Sequence, residues 1–119
     1  MGTTTFSKGR HGEDAAAREL ERRGITVITR NFRSPHGEID IVATEGETLI
    51  FVEVKSWGVY SIDNLELSIN KKKRVRIIET AKFFLQKHRK YSGMAIRFDI
   101  IFIGQCAVTH IESAWTENV

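Results

Sequence analysis

The hydrophobic positions along the chain alternate between helical and strand periods. From about Ser7 to Arg23 the helix formers Ala15, Ala16, Ala17 and Leu20 predict a helix with a narrow apolar stripe. Stepping back three and four residues along that stripe reaches Glu13 and Gly12, so an acid is expected on the inward face. Gly24 is placed to stop the helix, and Arg22 and Arg23 suit its C-terminal dipole. Ile25 to Phe32 reads as a strand, and Ser34-Pro35-His36-Gly37 as a turn. Glu38 to Ala43 and Leu49 to Lys55 read as two strands of a hairpin around Glu45-Gly46-Glu47. A loop from roughly Trp57 to Leu67 leads into a long helix, about Ser68 to His88. Its predicted apolar face is Val75, Ile78, Ala81 and Leu85, widened by Ile77 and Phe84. Met94 to Ile103 is an apolar strand broken by Arg97 and Asp99, and Val108 to Ile111 reads as a last short strand. The order α-β-β-β-α-β-β predicts an α/β fold with a mixed sheet flanked by helices.

Two of these strands carry charges at half-buried positions. Side chains alternate along a strand, so Glu38, Asp40 and Val42 are expected on one face. On the partner strand Ile50, Val52 and Val54 form an apolar core face, which puts Leu49, Phe51, Glu53 and Lys55 on the other side. Hairpin register decides whether Asp40 joins them. With a four-residue loop, Glu45 to Thr48, Thr44 pairs with Leu49 and Asp40 stands opposite Glu53. A two-residue loop, with Asp40 opposite Phe51, makes it a diagonal neighbour. A three-residue loop separates the acids unless a bulge intervenes. Directly opposed carboxylates cost free energy without a positive charge between them. Lys55 offsets part of that, and a divalent cation offsets more, the oxygen donors suiting Mg²⁺ or Mn²⁺. The plainer alternative is two exposed strand charges in an ordinary salt bridge. Glu13, arriving from the first helix, weighs against it.

Composition narrows the class. With 119 residues, 41% of them hydrophobic and 28% charged, the chain has a globular composition of single-domain size. No apolar run approaches the roughly 18 residues of a membrane span. No secretory signal is expected from the polar segment Met1 to Arg10. Cys106 is the one cysteine, which excludes an intrachain disulfide and a cysteine zinc cage and fits a reducing, cytoplasmic setting. Net charge is +3, but the segment from Asn70 to Lys90 holds nine basic residues against Glu79 alone. That segment carries +8 and the rest of the chain −5. Lys71 to Arg74 are poor company for a helix N-terminus, a conflict that an anionic partner removes. Lys72, Lys73 and Arg76 share one side of this helix and form the main electrostatic footprint, with Arg30 and Arg33 as further phosphate contacts.

Gly37-Glu38-Ile39-Asp40, followed after twelve residues by Glu53-Val54-Lys55, resembles the P-D…(D/E)-x-K nuclease signature. More narrowly, the chain from about Lys8 to Phe102 resembles the uncharacterised bacterial YraN-like family, whose fold is similar to that of archaeal Holliday-junction resolvases. The matching blocks are Gly9-Arg10-His11-Gly12-Glu13, Asn31-Phe32-Arg33, Phe51-Val52-Glu53-Val54-Lys55, a lysine near Lys73, and Arg97-Phe98-Asp99. The resemblance implies one restriction-endonuclease-like domain over residues 1–119, with its core at about 8–103. By analogy Asp40, Glu53 and the Val54 carbonyl would hold Mg²⁺ or Mn²⁺. Lys55 would orient the attacking water and stabilise developing phosphorane charge, and Glu13 would be a further or outer ligand. Ser56-Trp57 stands where the family often has Thr-Arg, and Ser61 to Ile69 lacks the usual glycine and proline. Both departures bear on substrate recognition.

The expected activity is metal-dependent hydrolysis of phosphodiester bonds in DNA, branched or otherwise structured. Two symmetric cuts in a junction need two copies of the site, which makes a homodimer one expectation. The rival is a nucleic-acid-binding module with the nuclease fold and no useful turnover, and a third is an adaptor using the Trp57 loop. His11 and His36 read as exposed or structural. Asp99 reads as paired with Arg97, and Trp57 and Tyr60 either stack on bases or pack.

Overall fold

The computed structural model describes residues 5–56, 71–104 and 107–115, with side chains from Gly12 onward. The expectations for the His11 side chain, Trp57, Tyr60, the loop through residues 61–69 and Cys106 lie outside the described residues. Helix α1 spans Thr5–Arg22, and strands β1, β2 and β3 span Thr26–Ser34, Gly37–Glu45 and Thr48–Ser56. Helix α2 spans Lys71–Lys87, and β4 and β5 span Ala95–Ile103 and Val108–Trp115. The strands form one sheet in the order β1-β2-β3-β4-β5. β3 and β4 are parallel and the other neighbours antiparallel. This is a mixed-sheet α/β fold in the α-β-β-β-α-β order of a restriction-endonuclease-like core. No helix among the described residues is long and apolar enough to cross a membrane.

Helix α1 ends as its sequence dictates. Gly24 adopts φ 83°, the Ile25 amide donates to the Leu20 carbonyl, and the Gly24 amide donates to the Glu21 carbonyl. This pair of bonds satisfies carbonyls that the helix end leaves open.

Both faces of the sheet are core. On one, α1 lays Ala16, Ala17 and Leu20 over Ile41, Ala43, Ile50, Val52 and Ile101. On the other, α2 lays Ile77, Ala81 and Phe84 over Ile39, Val42, Leu49, Phe51 and Phe98. The expected core face of β3 is therefore right, but its opposite face is equally apolar until it reaches Glu53. Parallel pairing to β4, with a helix on each side, buries β3 twice over. The apolar face of α2 is the expected one apart from Val75, with Ile77, Ala81 and Phe84 at its centre and Ile78 and Leu85 at its margin. Val75 is 51% exposed, and the buried residues are Ile77, Thr80, Ala81 and Phe84. That placement aligns Lys73, one turn before Ile77, with the inward stripe.

Candidate active site

The hairpin adopts the register in which Thr44 pairs with Leu49, but one further pair, Glu45 with Thr48, shortens the expected four-residue loop to a two-residue turn, Gly46-Glu47. Continued past Ile41↔Val52, that register brings Asp40 opposite Glu53. The backbone ladder stops there, and the Val54 amide donates to Asp40 Oδ2 at 2.7 Å. Strand alternation also breaks at this point. Ile39 belongs to the core under α2 and Ile41 to the core under α1. On β1 the matching crossing runs through Asn31, whose φ is 55°, between Arg30↔Ile41 and Phe32↔Ile39. Asparagine tolerates the left-handed region better than most residues. Asp40 is thus set over the end of β3, where the sheet opens.

Glu53 is 8% exposed, and Lys55 Nζ and Lys73 Nζ lie 3.1 and 2.7 Å from its Oε2. A buried carboxylate requires such partners. Asp40 fares differently. Burial first, then the charge of Glu53, pushes its carboxyl up to about 8, against the pull of the Val54 amide. A hydrogen bond with Glu53 and the more distant charge of Glu13 add to the effect. Burial, followed by the neighbouring Lys73, pushes Lys55 below its ordinary value, although Glu53 pulls the other way. For Lys73, burial opposes the charge, yet hydrogen bonds to Glu53 and Lys55 and the charges of Glu53 and Asp40 leave it raised.

Asp40, Glu53 and Lys73 open into a cavity of about 480 Å³ lined also by Gly37, Glu38, Lys72, Arg76 and Ile77, while Lys55 touches Glu53 without lining the cavity. One wall is acidic strand, the other the basic first turns of α2. A hydroxyl chain fixes their separation: Ser34 Oγ donates to Thr80 Oγ1, and Thr80 Oγ1 donates to the Arg76 carbonyl. Gly37 is required by its φ of 154°, whereas a Cβ there would meet Arg76 Cβ and Thr80 Oγ1 only at the ordinary contact distance of 3.5 Å.

The remaining site expectations divide. Glu13 does not complete a three-acid cluster: no group of three His, Cys, Asp or Glu side chains among the described residues is arranged to hold a metal ion. Its Oε1 instead accepts from Asn31 Nδ2 at 2.9 Å and lies 3.7 Å from Arg30 Nη2. α1 covers the opposite face of the sheet from Glu53, which explains the separation. Arg30 is held by Asp14 at 2.6 Å and Arg33 by Glu38 at 2.7 Å, and neither lines the cavity. Glu38, expected on the strand face of Asp40, does line it. The sequence reading also gave Asn31 no task of its own, although an asparagine inside a predicted strand is itself a signal of a left-handed residue. His36 is exposed in its turn, with its amide donating to Ser34 Oγ.

A second buried acid lies elsewhere. Asp99 is 0% exposed and takes a two-pronged contact from Arg97, at 2.9 Å on each oxygen. It also accepts the Ser113 amide and meets His110 Nε2 at 2.7 Å. Arg23 donates to His110 Nδ1, which leaves Nε2 to donate to Asp99. The expected Arg97 pair is present, inside a larger bracket joining β4, β5 and α1.

Comparison with known proteins gives the chain its relatives. Residues 12–103 match the family described as "Uncharacterised protein family UPF0102". A UPF0102 protein of Treponema pallidum (strain Nichols) is 47% identical over 95 residues, covering 80% of this chain and 75% of that one. Another, from Persephonella marina, is 44% identical over 111 residues, covering 93% and 95%. A third, from Desulfosudis oleivorans, is 43% identical over 95 residues, covering 80% and 76%. With the matching region spanning both cavity walls, this chain belongs to the UPF0102 family.

Proposed function

We propose that this protein is a metal-dependent phosphodiesterase that cuts DNA, with branched or otherwise structured DNA as its substrate class. The observation that carries the reading is the meeting of Asp40 and Glu53 in one cavity with Lys72, Lys73 and Arg76, with Lys55 reaching Glu53 from just outside the cavity lining.

The donor set fits a hard divalent cation. Asp40 and Glu53 supply carboxylate oxygens side by side, and the raised Asp40 marks a place where positive charge is wanted. Asp40, Glu53 and the Val54 carbonyl are the groups that would hold Mg²⁺ or Mn²⁺, without Glu13, which is paired with Asn31 and Arg30. Such an ion would polarise a phosphoryl oxygen and make bound water a better nucleophile. Lys55, whose ammonium is destabilised by burial, is suited to orient that water and to exchange a proton with it. Lys72 and Arg76 face the phosphates flanking the scissile bond, and Arg30 and Arg33 reinforce the outer field. Among the described residues the contacts on offer are to phosphates and no base-reading element stands out, which favours recognition by shape. The lone cysteine suits a reducing cytoplasm, and paired cuts would use a second copy of the chain.

A second reading, nucleic-acid binding without turnover, draws on the two lysines that already neutralise Glu53. The test is a panel of labelled junction, flap, single-stranded and duplex DNA, plus RNA, with Mg²⁺ or Mn²⁺. Cleavage that disappears in Glu53→Ala and Lys55→Ala supports the first reading. Salt-sensitive binding with no cut on any substrate supports the second. No binding at moderate salt removes both.

A further inference from the structure

Glu53 Oε2 has two cations on one oxygen, and their surroundings differ. Lys55 sits two residues along the same strand with its side chain 12% exposed, so it has little room to leave. Lys73 arrives from the opposite cavity wall, makes the shorter contact at 2.7 Å and is 38% exposed. Lys72 and Arg76 stand on the same wall. A divalent cation taking Glu53 oxygens puts two further positive charges where Lys73 now rests, and like charges at that range repel strongly.

We infer that Lys73 is an exchangeable cation: it occupies Glu53 in the metal-free site, yields that carboxylate to the metal, and moves across the cavity to hold a phosphate of the bound DNA. This rests on the metal-dependent reading above and adds to it a cation that couples metal entry to substrate capture. The exchange breaks only an ion pair, so no covalent change is involved. The metal ion and the DNA phosphate together replace the lost partners of both groups. Through that exchange each ligand strengthens the other, and the coupling is reciprocal.

The test compares wild type with Lys73→Met and Lys73→Gln, after thermal unfolding shows which variant keeps the fold. Mn²⁺ affinity of the DNA-free protein is read by calorimetry. Affinity for a hydrolysis-resistant phosphorothioate four-way junction is read with and without Mn²⁺. Removing the competitor is expected to tighten Mn²⁺ binding roughly tenfold. Mn²⁺ is expected to tighten junction binding roughly tenfold in wild type but only about twofold in the variant. Unchanged or weaker Mn²⁺ binding in both variants overturns the inference. So does a Mn²⁺ effect on junction binding that is as large in the variants as in wild type. A wild-type protein and variants that all take up no Mn²⁺ overturn the metal-dependent reading itself. Wild-type Mn²⁺ binding without the Lys73 effects overturns only the exchange.

Discussion

Asp40 Oδ2 accepts the Val54 amide at 2.7 Å, so a side chain on β2 replaces the backbone partner that the ladder would have supplied to β3. The bond ties the two elements of the signature together and leaves Asp40 beside Glu53 with too little positive charge around it.

That imbalance has a pH signature. The folded carboxyl is raised from 3.8 to about 8, so between those values the folded state binds a proton that the unfolded chain releases. Stability of the metal-free protein should therefore fall as pH rises through that window. Asp40→Asn should flatten the slope and gain about 0.5–2 kcal/mol at pH 9. Urea unfolding of both proteins from pH 5 to 9 measures it, and equal slopes would contradict the assignment.

Asp99 should behave with the opposite sign. Burial alone would raise its carboxyl, but His110, Arg97 and the Ser113 amide together bring it below 3.8. Its contribution is present above the unfolded value and is lost as pH falls through the lower folded one. Asp99→Ala, which leaves Arg97 to Glu45 and Glu112 but removes the partner of the buried His110 Nε2, should cost about 1–3 kcal/mol at pH 7. Denaturant midpoints at pH 7 and pH 3 provide the check, with the difference between the proteins narrowing in acid.

The orientation of α2 makes Val75 and Ile77 a sharp pair. Val75→Ala should stay within about 0.5 kcal/mol of wild type, since half of the residue faces water. Ile77→Ala should cost about 2–5 kcal/mol, as it opens the core beneath Phe51 and Phe84. Equal losses in thermal melts would place Val75 in the core, where the sequence suggests it.

Gly24→Ala isolates one backbone effect. Nothing stands within 4 Å of a Cβ built there, and φ is 83°. The loss, about 1 kcal/mol, should come from the left-handed conformation alone. Gly24→Asn should lose less, because asparagine tolerates that region. A melt in which the two variants are equal would refute this cause.

Local chemistry was legible wherever one element sufficed. Gly24, the Glu45-Gly46-Glu47 turn and the apolar β3 run each state their conformation within a few residues. The Glu53-Val54-Lys55 spacing likewise put an acid and a lysine on one strand face. The face of α2 was legible except at Val75, because Val75, Ile77 and Ile78 offer two overlapping apolar stripes. Only the partner surface selects between them. Glu13 was placed correctly on the inward side of α1, but inward there means the face of the sheet away from Glu53.

By itself the sequence determined the order of elements, the charge segregation and the pairing of Asp40 with Glu53 as one of a few registers, because these depend on periodicity and short spacings. Tertiary structure decided the rest. It selected the register, sent β1 through a left-handed Asn31, and buried β3 on both faces. It also turned Lys73 onto Glu53, while keeping Arg30 and Arg33 in other ion pairs. Those outcomes depend on which helix covers which face of the sheet, and contacts between residues distant in sequence carry no local pattern.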